Sequence, residues 1–442
     1  MTGEWRETTL WDIADYINGR ATKPSEVCSD GVPVIKIAEL NRGITETTDR
    51  VPPELVEDRH WVNPGDLLFA WSGSVGIYRY NGPKAALNQH IFRVVAKEGI
   101  DQQFLRYLLL SCMPIFNLHV QDKRTTMGHV TIKDLQRIKV QVPPLAEQRA
   151  IAHILGTLDD KIELNRRMSE TLEAIAHALF KAWFVDFEPV RAKREGRWRR
   201  GHSLPGLPAH LYDHFPDRLV ESELGEIPEG WRIDKIGNQF RVTMGQSPPG
   251  NTYNEKGNGL PFYQGRADFG FRFPNRRVFC TAPTRFAEPG DTLVTVRAPV
   301  GDTNIALERC CIGRGVAAIR HSSGATSYTY YLVRSLRSVF RGFEAEGTVF
   351  GAITKDSLLS IKHVVPPDEL VQRFEQLCSP IDDMVEIAER ESRTLAALRD
   401  ALLPKLIRGE IRVKDAERFL EGKGYEVRPR ETSPSQYAPE RV

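Results

Sequence analysis

The chain has 442 residues, 41% of them hydrophobic, which is enough for two or three domains with sizeable cores. Neither end carries a signal-like apolar run, and no stretch of about eighteen apolar residues occurs, so we expect neither secretion nor membrane spanning. The six cysteines show no Cys-x-x-Cys spacing and no histidine clustered near them. This argues against a zinc site or a disulfide framework, and we expect a cytoplasmic protein.

The formal net charge of +2 hides an uneven distribution along the chain. Residues 231–365 hold 18 basic and 10 acidic side chains, a net charge of +8, whereas residues 1–143 hold 17 of each. Residues 144–188 and 366–411 are acidic, with net charges of −3 and −4. A basic globular segment combined with acidic segments is typical of a protein that binds a polyanion, and random scatter of charge is the alternative.

In chain order, the first segment alternates short apolar runs with turns rich in Gly, Pro and Asn. This pattern is typical of strands separated by loops, and one helix is predicted from Gln102 to Leu110. After Pro143-Pro144 no further proline occurs until Pro189. Apolar residues recur there at heptad steps, which predicts a long helix packed against a partner helix. The predicted seam of this helix consists of Ile151, Leu155, Leu158, Ile162, Leu172 and Leu179.

The partner helix is a second copy within the same chain, displaced by 223 residues. Pro143-Pro144 recurs as Pro366-Pro367, and Asp159-Asp160 recurs as Asp382-Asp383. The predicted seam of the second helix consists of Ile381, Val385, Ala388, Leu395 and Leu402. The paired aspartates are interpreted as capping or partner-facing residues rather than metal ligands, because no histidine lies near them in the sequence.

The strand-rich segment is repeated as well, so the chain reads head, helix, head, helix. Trp5 matches Trp231, and Pro64-Gly65-Asp66 matches Pro289-Gly290-Asp291. We predict an α+β fold with two strand-rich heads separated by two long helices that form an antiparallel coiled coil, with an internal pseudo-two-fold repeat. Parallel helices would force the linker to span roughly 60 Å, at about 1.5 Å per residue over roughly forty residues.

The predicted boundaries follow from this repeat. They are a first head at 1–143, a first helix at 144–188, a basic and proline-rich linker at 189–230, a second head at 231–365, a second helix at 366–411 and a flexible tail at 412–442. The basic run in the linker, from Arg191 to Arg200, is interpreted as a solvated linker, with phosphate contact as the alternative.

Several motifs stand in a fixed order along these segments. The heads close on Gly128-His129-Val130-Thr131 and Gly351-Ala352-Ile353-Thr354, the first helix begins PPLAEQRAIAHIL and ends ALFKAWFVDF, the second head opens on LGEIPEGW, and the second helix closes on LLPKLIRGEI. Over about residues 5–411 this arrangement resembles the DNA specificity subunits of type I restriction-modification enzymes. The first head lacks an LGEIPEGW-type entrance, and the helices lack short tandem repeats.

The resemblance implies that each head is a target recognition domain that reads one half of a split site in double-stranded DNA. It also implies that the helices set the gap between the halves and bind two methyltransferase subunits, to which a DNA-cleaving assembly adds restriction subunits. S-adenosylmethionine, ATP and Mg²⁺ are then expected only in the partner subunits. We expect no membrane partner.

Side chains that could read base edges lie on loops between the predicted strands. Arg, Lys, Asn, Gln, Ser and Thr are the residue types that do so. In the first head the candidates are Ser72, Ser74, Tyr78, Arg79, Asn88, Gln89, His90, Lys123, Arg124, Thr125 and Thr126. In the second head they are Gln264, Arg266, Arg272, Arg276, Arg277, Arg297 and Arg314. For each residue alone, a solvated loop side chain is the alternative.

No catalytic apparatus is evident in the sequence. The nearest match to a base-flipping methyltransferase motif is Ser247-Pro248-Pro249-Gly250, which lacks the aromatic residue that would stack on a flipped base. There is no Walker motif, no glycine-rich cofactor loop and no acidic cluster typical of a nuclease. The sequence therefore predicts a non-catalytic DNA-recognition subunit without metal or cofactor of its own. The alternatives are the specificity subunit of a methylation-only complex and a coiled-coil scaffold that binds only proteins.

Overall fold

The computed structural model describes residues 4–121, 128–345 and 351–425. The first head begins with β1 (Arg6–Thr9) and ends with β10 (Lys139–Val142). Between them lie α1 (Leu10–Ile13), β2 (Ala14–Asn18), β3 (Val32–Ile35), α2 (Ile37–Arg42), β4 (Arg50–Val51), β5 (Trp61–Val62), β6 (Leu67–Ala70), β7 (Gly76–Arg79), β8 (Ala85–Leu87), β9 (Ile91–Ala96), α3 (Gln102–Ser111), α4 (Met113–Gln121) and α5 (Ile132–Arg137).

The first long helix, α6 (Leu145–Phe184), follows β10 directly. After it come α7 (Glu188–Arg194), β11 (Leu219–Ser222) and β12 (Gly225–Pro228). The second head then comprises β13 (Arg232–Lys235), α8 (Ile236–Gln239), β14 (Phe240–Met244), β15 (Tyr253–Asn254), β16 (Leu260–Tyr263), β17 (Phe279–Cys280), β18 (Phe286–Ala287), β19 (Thr292–Thr295), β20 (Thr303–Ile305), β21 (Cys310–Ile312), β22 (Val316–His321), α9 (Thr326–Ser335), α10 (Arg337–Ala345), α11 (Lys355–Ser360) and β23 (Lys362–Val365). The chain continues with α12 (Asp368–Ile407) and α13 (Val413–Glu421).

The two heads share one sheet plan. In the first head, one sheet has the strand order β2-β9-β6-β7, a second has β4-β3-β8-β5, and β1 pairs antiparallel with β10. In the second head, the corresponding orders are β14-β22-β19-β20 and β17-β16-β21-β18, with β15 added next to β17, and β13 pairs with β23. In both heads the one parallel pair that these sheets contain, β3 with β8 and β16 with β21, occupies the same place. The predicted internal repeat is confirmed.

The chain divides into two compact units, and α6 and α12 each contribute residues to both. Unit 1 comprises residues 1–164 and 391–442, and unit 2 comprises residues 165–390. Unit 1 therefore holds the first head, and unit 2 holds the second head together with residues 189–230. No helix of the described residues is long and apolar enough to cross a membrane.

Within each unit the two long helices pack antiparallel. In unit 1, Lys161 Nζ lies 3.4 Å from Glu391 Oε2, and Asp159 Oδ1 accepts a hydrogen bond from Arg399 at 2.8 Å. In unit 2, the ring of Phe180 packs against that of Phe374 with centroids 5.6 Å apart. The partner on α12 moves toward lower numbers as the residue on α6 moves toward higher ones. The predicted antiparallel pairing is confirmed.

The predicted seam residues lie at or next to this helix interface. In unit 1, one hydrophobic cluster buries Ile151, Leu155, Leu158, Leu395 and Leu402, and Ile162 packs against it. In unit 2, Val385 and Ala388 are buried, while Leu172, Leu179 and Ile381 are partly buried.

The seam also contains buried polar residues, of which Asn165 and Glu173 were not predicted from the sequence. Asn165, Ser169 and Glu173 are all buried on α6. Asn165 Nδ2 donates a hydrogen bond to the carbonyl oxygen of Ala388 at 3.4 Å. A buried polar group in a helix interface favours the one register in which its partner is available, at a cost in stability. These residues therefore restrict how α6 and α12 can slide against each other.

The tryptophan that opens each head packs against the end of a long helix. The ring of Trp5 lies against Gly409, just past the end of α12, where a Cβ atom would come within 3.3 Å of the ring. Gly409 has φ +68°, a left-handed conformation that suits glycine at a helix C-terminus. Trp231 packs edge to face on Phe187, past the end of α6, with centroids 5.6 Å apart. The matching of Trp5 with Trp231 thus reflects one shared structural role.

Two segments differ from their sequence-based description. The predicted tail, 412–442, contains α13, whose Ala416 and Leu420 are buried in the hydrophobic cluster of unit 1. The predicted linker, 189–230, buries Trp198, Leu211 and Phe215 in the hydrophobic cluster of unit 2. In both segments a few large apolar side chains among many polar ones are enough to hold the backbone on a core.

We expect Leu158→Asp to destabilise unit 1 strongly. Leu158 is 2% exposed, and the substitution removes apolar contacts and buries an unpaired carboxylate. The cost should exceed about 3 kcal/mol, since Leu→Ala alone in protein cores costs about that much. Thermal unfolding followed by calorimetry measures it. The matched control is Leu164→Asp on the same helix, where the side chain is 58% exposed. Equal melting temperatures of the two variants would contradict the assigned seam.

Candidate nucleic-acid interface

Each head is attached to the long helix that follows it through the start of its longest internal helix. In unit 1, the backbone N–H of Asp101, the N-cap of α3, donates to the Gln148 side chain of α6 at 2.8 Å. In unit 2, the backbone N–H groups of Thr326 and Ser327, at the start of α9, donate to Glu375 of α12 at 3.0 and 3.1 Å. A side chain of the long helix thus satisfies amide donors that no intrahelical carbonyl can reach.

A second attachment in unit 1 is made by Asp159, the first of the paired aspartates on α6. Its carboxylate accepts hydrogen bonds from Arg106 at 2.7 Å and Tyr107 at 2.8 Å, both on α3, and from Arg399 of α12 at 2.8 Å. Burial raises the pKa of this carboxyl, but the two arginines and Tyr107 outweigh that effect and hold the pKa below its ordinary value. Asp159 therefore stays ionised and joins head, α6 and α12.

The equivalent aspartate in unit 2, Asp382, is held by a different arginine. Arg272 comes from the loop between β16 and β17, and its side chain is fully buried. It donates to Asp382 at 2.9 Å and to the Tyr331 hydroxyl at 2.7 Å, and it also pairs with Glu173 of α6. Its guanidinium lies 4.3 Å from the ring centroid of Tyr330. One buried side chain therefore joins the second head to both long helices.

The paired aspartates thus have a role that the sequence analysis did not anticipate. Asp159 and Asp382 were expected to cap a helix or to face a partner, whereas the structure uses both to bind the heads to the helices. Among the described residues, no group of three or more His, Cys, Asp or Glu side chains could hold a metal ion. Burial raises the pKa of Asp382, which Arg272 and Ser327 only partly offset.

On another part of the first head, three loops meet at one surface. They are the loop after β6, the loop after β8 and the turn after β3. The N–H of Trp71 donates to the carbonyl oxygen of His90 at 3.2 Å, and the N–H of Asn88 donates to that of Ile35 at 3.1 Å. The carbonyl oxygen of Trp71 also accepts from the N–H of Val130, at 2.9 Å. We call residues 71–75 and 88–90 the loop surface of the first head.

The second head builds the same surface with the same hydrogen bonds. The N–H of Val296 donates to the carbonyl oxygen of Gly315 at 2.9 Å, and the N–H of Gly313 donates to that of Tyr263 at 2.8 Å. The loops approach so closely that a Cβ atom at Gly315 would lie 2.3 Å from the carbonyl oxygen of Gln264. Residues 264–265, 296–301 and 313–315 form the loop surface of the second head.

Comparison with known proteins supports one family over nearly the whole chain. A family model described as the type I restriction modification DNA specificity domain matches residues 2–174. The putative type I restriction enzyme MjaX specificity subunit of Methanocaldococcus jannaschii is 29% identical, over 93% of this chain and 94% of that protein. The type I restriction enzyme HindI specificity subunit of Haemophilus influenzae is 23% identical, over 92% of this chain and 100% of that protein.

Over nearly its whole length the chain is similar to the specificity subunits of type I restriction-modification systems. The crystal structure of the type I restriction-modification system S subunit from M. genitalium has the same fold. Its TM-score is 0.55 at 14% identity, covering 91% of this chain and 96% of that one.

Some of the candidate DNA-contacting residues lie on the loop surfaces. In the first head, Ser74, Gln89 and His90 are exposed there, while Ser72 and Asn88 are mostly buried and Asn88 binds the backbone of His90. In the second head, Gln264, Arg297 and Arg314 are exposed there.

Other candidates lie elsewhere. Tyr78 and Arg79 are on β7, beside a cleft of about 710 Å³ between the first head and α6, and Tyr78 donates to Asn41 at 3.0 Å. Arg272 is 0% exposed and belongs to the attachment of the second head, so the prediction of a DNA contact at this residue is wrong. Its burial follows from long-range ion pairs that the local sequence does not reveal. Lys123, Arg124, Thr125 and Thr126 lie outside the described residues.

Carboxylates partner many of the exposed arginines of this region. Arg266 pairs with Asp302 at 2.8 Å, Arg276 with Glu308 at 2.6 Å and Arg277 with Asp268 at 3.0 Å. The basic run of the 189–230 segment is also paired, with Arg197 bound to Glu188 and Glu195 and Arg200 bound to Asp213. This pairing favours the linker interpretation of that run over its alternative of phosphate contact.

Two side chains at or next to the loop surfaces are not among the predicted base-reading candidates. Trp71 stacks on Phe92 with centroids 5.6 Å apart and donates through Nε1 to Asn18 at 3.3 Å. Ser247 is exposed, and its hydroxyl accepts from the N–H of Arg314 at 3.3 Å. The repeat contained a signal for Ser247. The second head aligns with the first at an offset of 225 to 226 residues, and in this alignment Ser247 follows the residue equivalent to Arg20.

We expect Arg272→Met to destabilise unit 2 by about 3–5 kcal/mol, because it leaves the buried carboxylates of Glu173 and Asp382 without their cation. Arg276→Met is the matched control, since it removes an exposed arginine whose pair with Glu308 contributes little. Calorimetric unfolding of the full chain measures both variants. A melting temperature of Arg272→Met equal to that of the control would contradict the assigned role.

Proposed function

We propose that this chain is the DNA-reading subunit of a type I restriction-modification complex. Each head binds one half of a bipartite, gapped site in double-stranded DNA. Helices α6 and α12 set the gap and bind two methyltransferase subunits. The curated relatives carry the name of type I restriction enzyme specificity subunits, and this name supports the proposal.

One observation carries the proposal: the two loop surfaces have the same hydrogen-bonded backbone but different side chains. Ser72 and Gln89 of the first head occupy the places of Arg297 and Arg314 in the second. A constant backbone holds each loop in a defined position, and different side chains present different donors and acceptors to base edges. Two heads of this kind suit two half-sites of different sequence.

The charge distribution supports DNA as the partner. The second head carries a net charge of +8, whereas the two long-helix segments are acidic. Phosphate neutralisation provides much of the affinity of DNA-binding proteins, so a basic head favours binding, and acidic helices disfavour contact with the duplex. A scaffold that binds only proteins has no need of this asymmetry.

Catalysis is proposed to reside in the partner subunits. Methyl transfer by a methyltransferase subunit would use S-adenosylmethionine, and restriction subunits, where present, would use ATP and Mg²⁺. The specificity subunit determines which DNA sequence is bound. Whether a nuclease accompanies the methyltransferase does not alter this role, and a methylation-only complex is the second candidate.

The proposal predicts that this chain directs methylation to one bipartite site with two different halves. Methylated bases are mapped in cells that express the methyltransferase subunits with this chain and, as the control, without it. Affinity of the assembled complex for duplex DNA should also fall steeply between about 50 and 200 mM salt. Methylation at the same positions without this chain would favour the alternative of a scaffold that binds only proteins. An affinity for DNA that does not depend on salt concentration would favour it as well.

The helices are predicted to act as the spacer between the half-sites. Four residues inserted after Glu170 and four after Arg393 add one turn to each helix, or about 6 Å and about 40°. One base pair adds about 3.4 Å and roughly 35°, so we expect the gap to grow by one base pair.

The same methylation map tests this prediction, and both half-site sequences should stay unchanged. The control carries the insertion only after Glu170, which lengthens one helix without its partner and should reduce methylation. An unchanged gap in a fully active double-insertion complex would contradict the spacer role.

A further inference from the structure

Two exposed arginines of the second head flank one backbone hydrogen bond at the loop surface. β19 and β22 pair antiparallel, with Thr295 opposite Val316. Beyond this pair, the N–H of Val296 donates to the carbonyl oxygen of Gly315 at 2.9 Å. Arg297 follows Val296, and Arg314 precedes Gly315 in the turn before β22. Arg297 and Arg314 are therefore neighbours across this hydrogen bond.

This arrangement is unfavourable in the isolated protein. Like charges close together repel each other, and no carboxylate of the described residues lies within 4.0 Å of either guanidinium. Arg266, Arg276 and Arg277 of the same head each have such a carboxylate. Repulsion between charges that the protein itself does not offset is expected at a site where a ligand offsets it.

We propose that Arg297 and Arg314 read guanines of two neighbouring base pairs in the half-site of the second head. This inference rests on the proposed function and names the bases and the side chains. Arginine donates two hydrogen bonds to the O6 and N7 atoms of guanine in the major groove, the most common specific contact of proteins with bases. The positions of the two arginines on either side of one backbone hydrogen bond suit two base pairs stacked about 3.4 Å apart.

The backbone around both arginines is positioned rather than free. Arg297 forms a bridge with Ala352, and the N–H of Arg314 donates to the hydroxyl of Ser247 at 3.3 Å. Gly313 and Gly315 on either side of Arg314 are held by Tyr263 and Val296. A rigid support of this kind favours recognition of one base over loose attraction to phosphates.

The first head provides an internal comparison. There the ladder of β6 and β9 ends with Ala70 opposite Ile91, and the N–H of Trp71 bonds to His90, so Ser72 and Gln89 flank this bond as Arg297 and Arg314 do in the second head. Glutamine pairs with adenine through N6 and N7. The same position, 89 in one head and 314 in the other, thus carries side chains that select different bases. Arg314→Gln places the side chain of the first head in the second.

The test compares methylation sites of the full complex carrying wild-type chain, Arg314→Gln, Arg314→Lys, Arg297→Gln or Arg241→Gln, on a plasmid library with randomised half-sites. Arg314→Gln should lose roughly tenfold or more of its preference for one G·C pair, and Arg297→Gln should lose it at the neighbouring pair. The other half-site should stay unchanged in both. Arg314→Lys keeps the charge but lacks the planar fork, so it should also lose the preference.

Arg241→Gln is the matched control, because it removes an exposed arginine of the same head on β14, away from the loop surface. It should leave both half-sites unchanged. Unchanged sequence preference with uniformly weaker methylation in Arg314→Gln, together with normal activity of Arg314→Lys, would identify a phosphate contact and overturn the inference. A wild-type half-site without two neighbouring G·C pairs would overturn it too.

These results separate the inference from the proposed function. If the proposed function is wrong, the wild-type complex has no bipartite site at all. If only the inference is wrong, the wild-type site exists and the arginine variants keep its sequence. Melting temperatures of the variants show whether each is folded, and Arg314→Lys carries the test where Arg314→Gln is destabilised.

Discussion

A largely buried carboxylate on each long helix must have a cation, and this requirement determines how each head is attached. Asp159 and Asp382 occupy equivalent positions in the repeated helices, and an isolated buried charge would cost several kcal/mol. Arg106 and Arg399 satisfy the first, and Arg272 satisfies the second. The carboxylate is repeated but its arginine is not, so each head has its own attachment to one common helical framework.

In each head, backbone hydrogen bonds between the strands stabilise the fold, whereas recognition depends on side chains. Bonds such as Val296 to Gly315 and Trp71 to His90 involve only backbone atoms, so they are the same in both heads whatever the side chains are. At the next positions, the side chains of Gln89, Arg297 and Arg314 are exposed and contribute little to the core. A fold of this kind can change what it reads at Arg314 or Gln89 without rebuilding its sheets, because substitutions at exposed positions usually change stability by less than about 0.5 kcal/mol.

The charges of the second head follow the same separation between residues that stabilise the fold and residues available for recognition. Many arginines of the second head are neutralised by nearby carboxylates, as Arg276 is by Glu308, and these contribute to the net charge of the head without being available for a strong contact. Arg297 and Arg314 combine exposure, a held backbone and the lack of a carboxylate within the described residues. The net charge of +8 identifies the second head as a candidate DNA-binding region. Within this head, the presence or absence of a carboxylate partner distinguishes one arginine from another.

The sequence by itself determined the repeat, the heptad seam and the resemblance to a known family, because periodic spacing and ordered motifs are local properties of the chain. Leu158 and Leu395 could be assigned to the seam from spacing alone. The sequence could not distinguish Arg272 from Arg297, since both are arginines on loops of one basic head. Only the tertiary structure decided that Arg272 is buried, because its partner Asp382 lies 110 residues away in the chain and the two meet only when the head packs on the helices. Burial of a charge depends on such long-range partners, whereas helix periodicity depends on neighbours three and four residues apart.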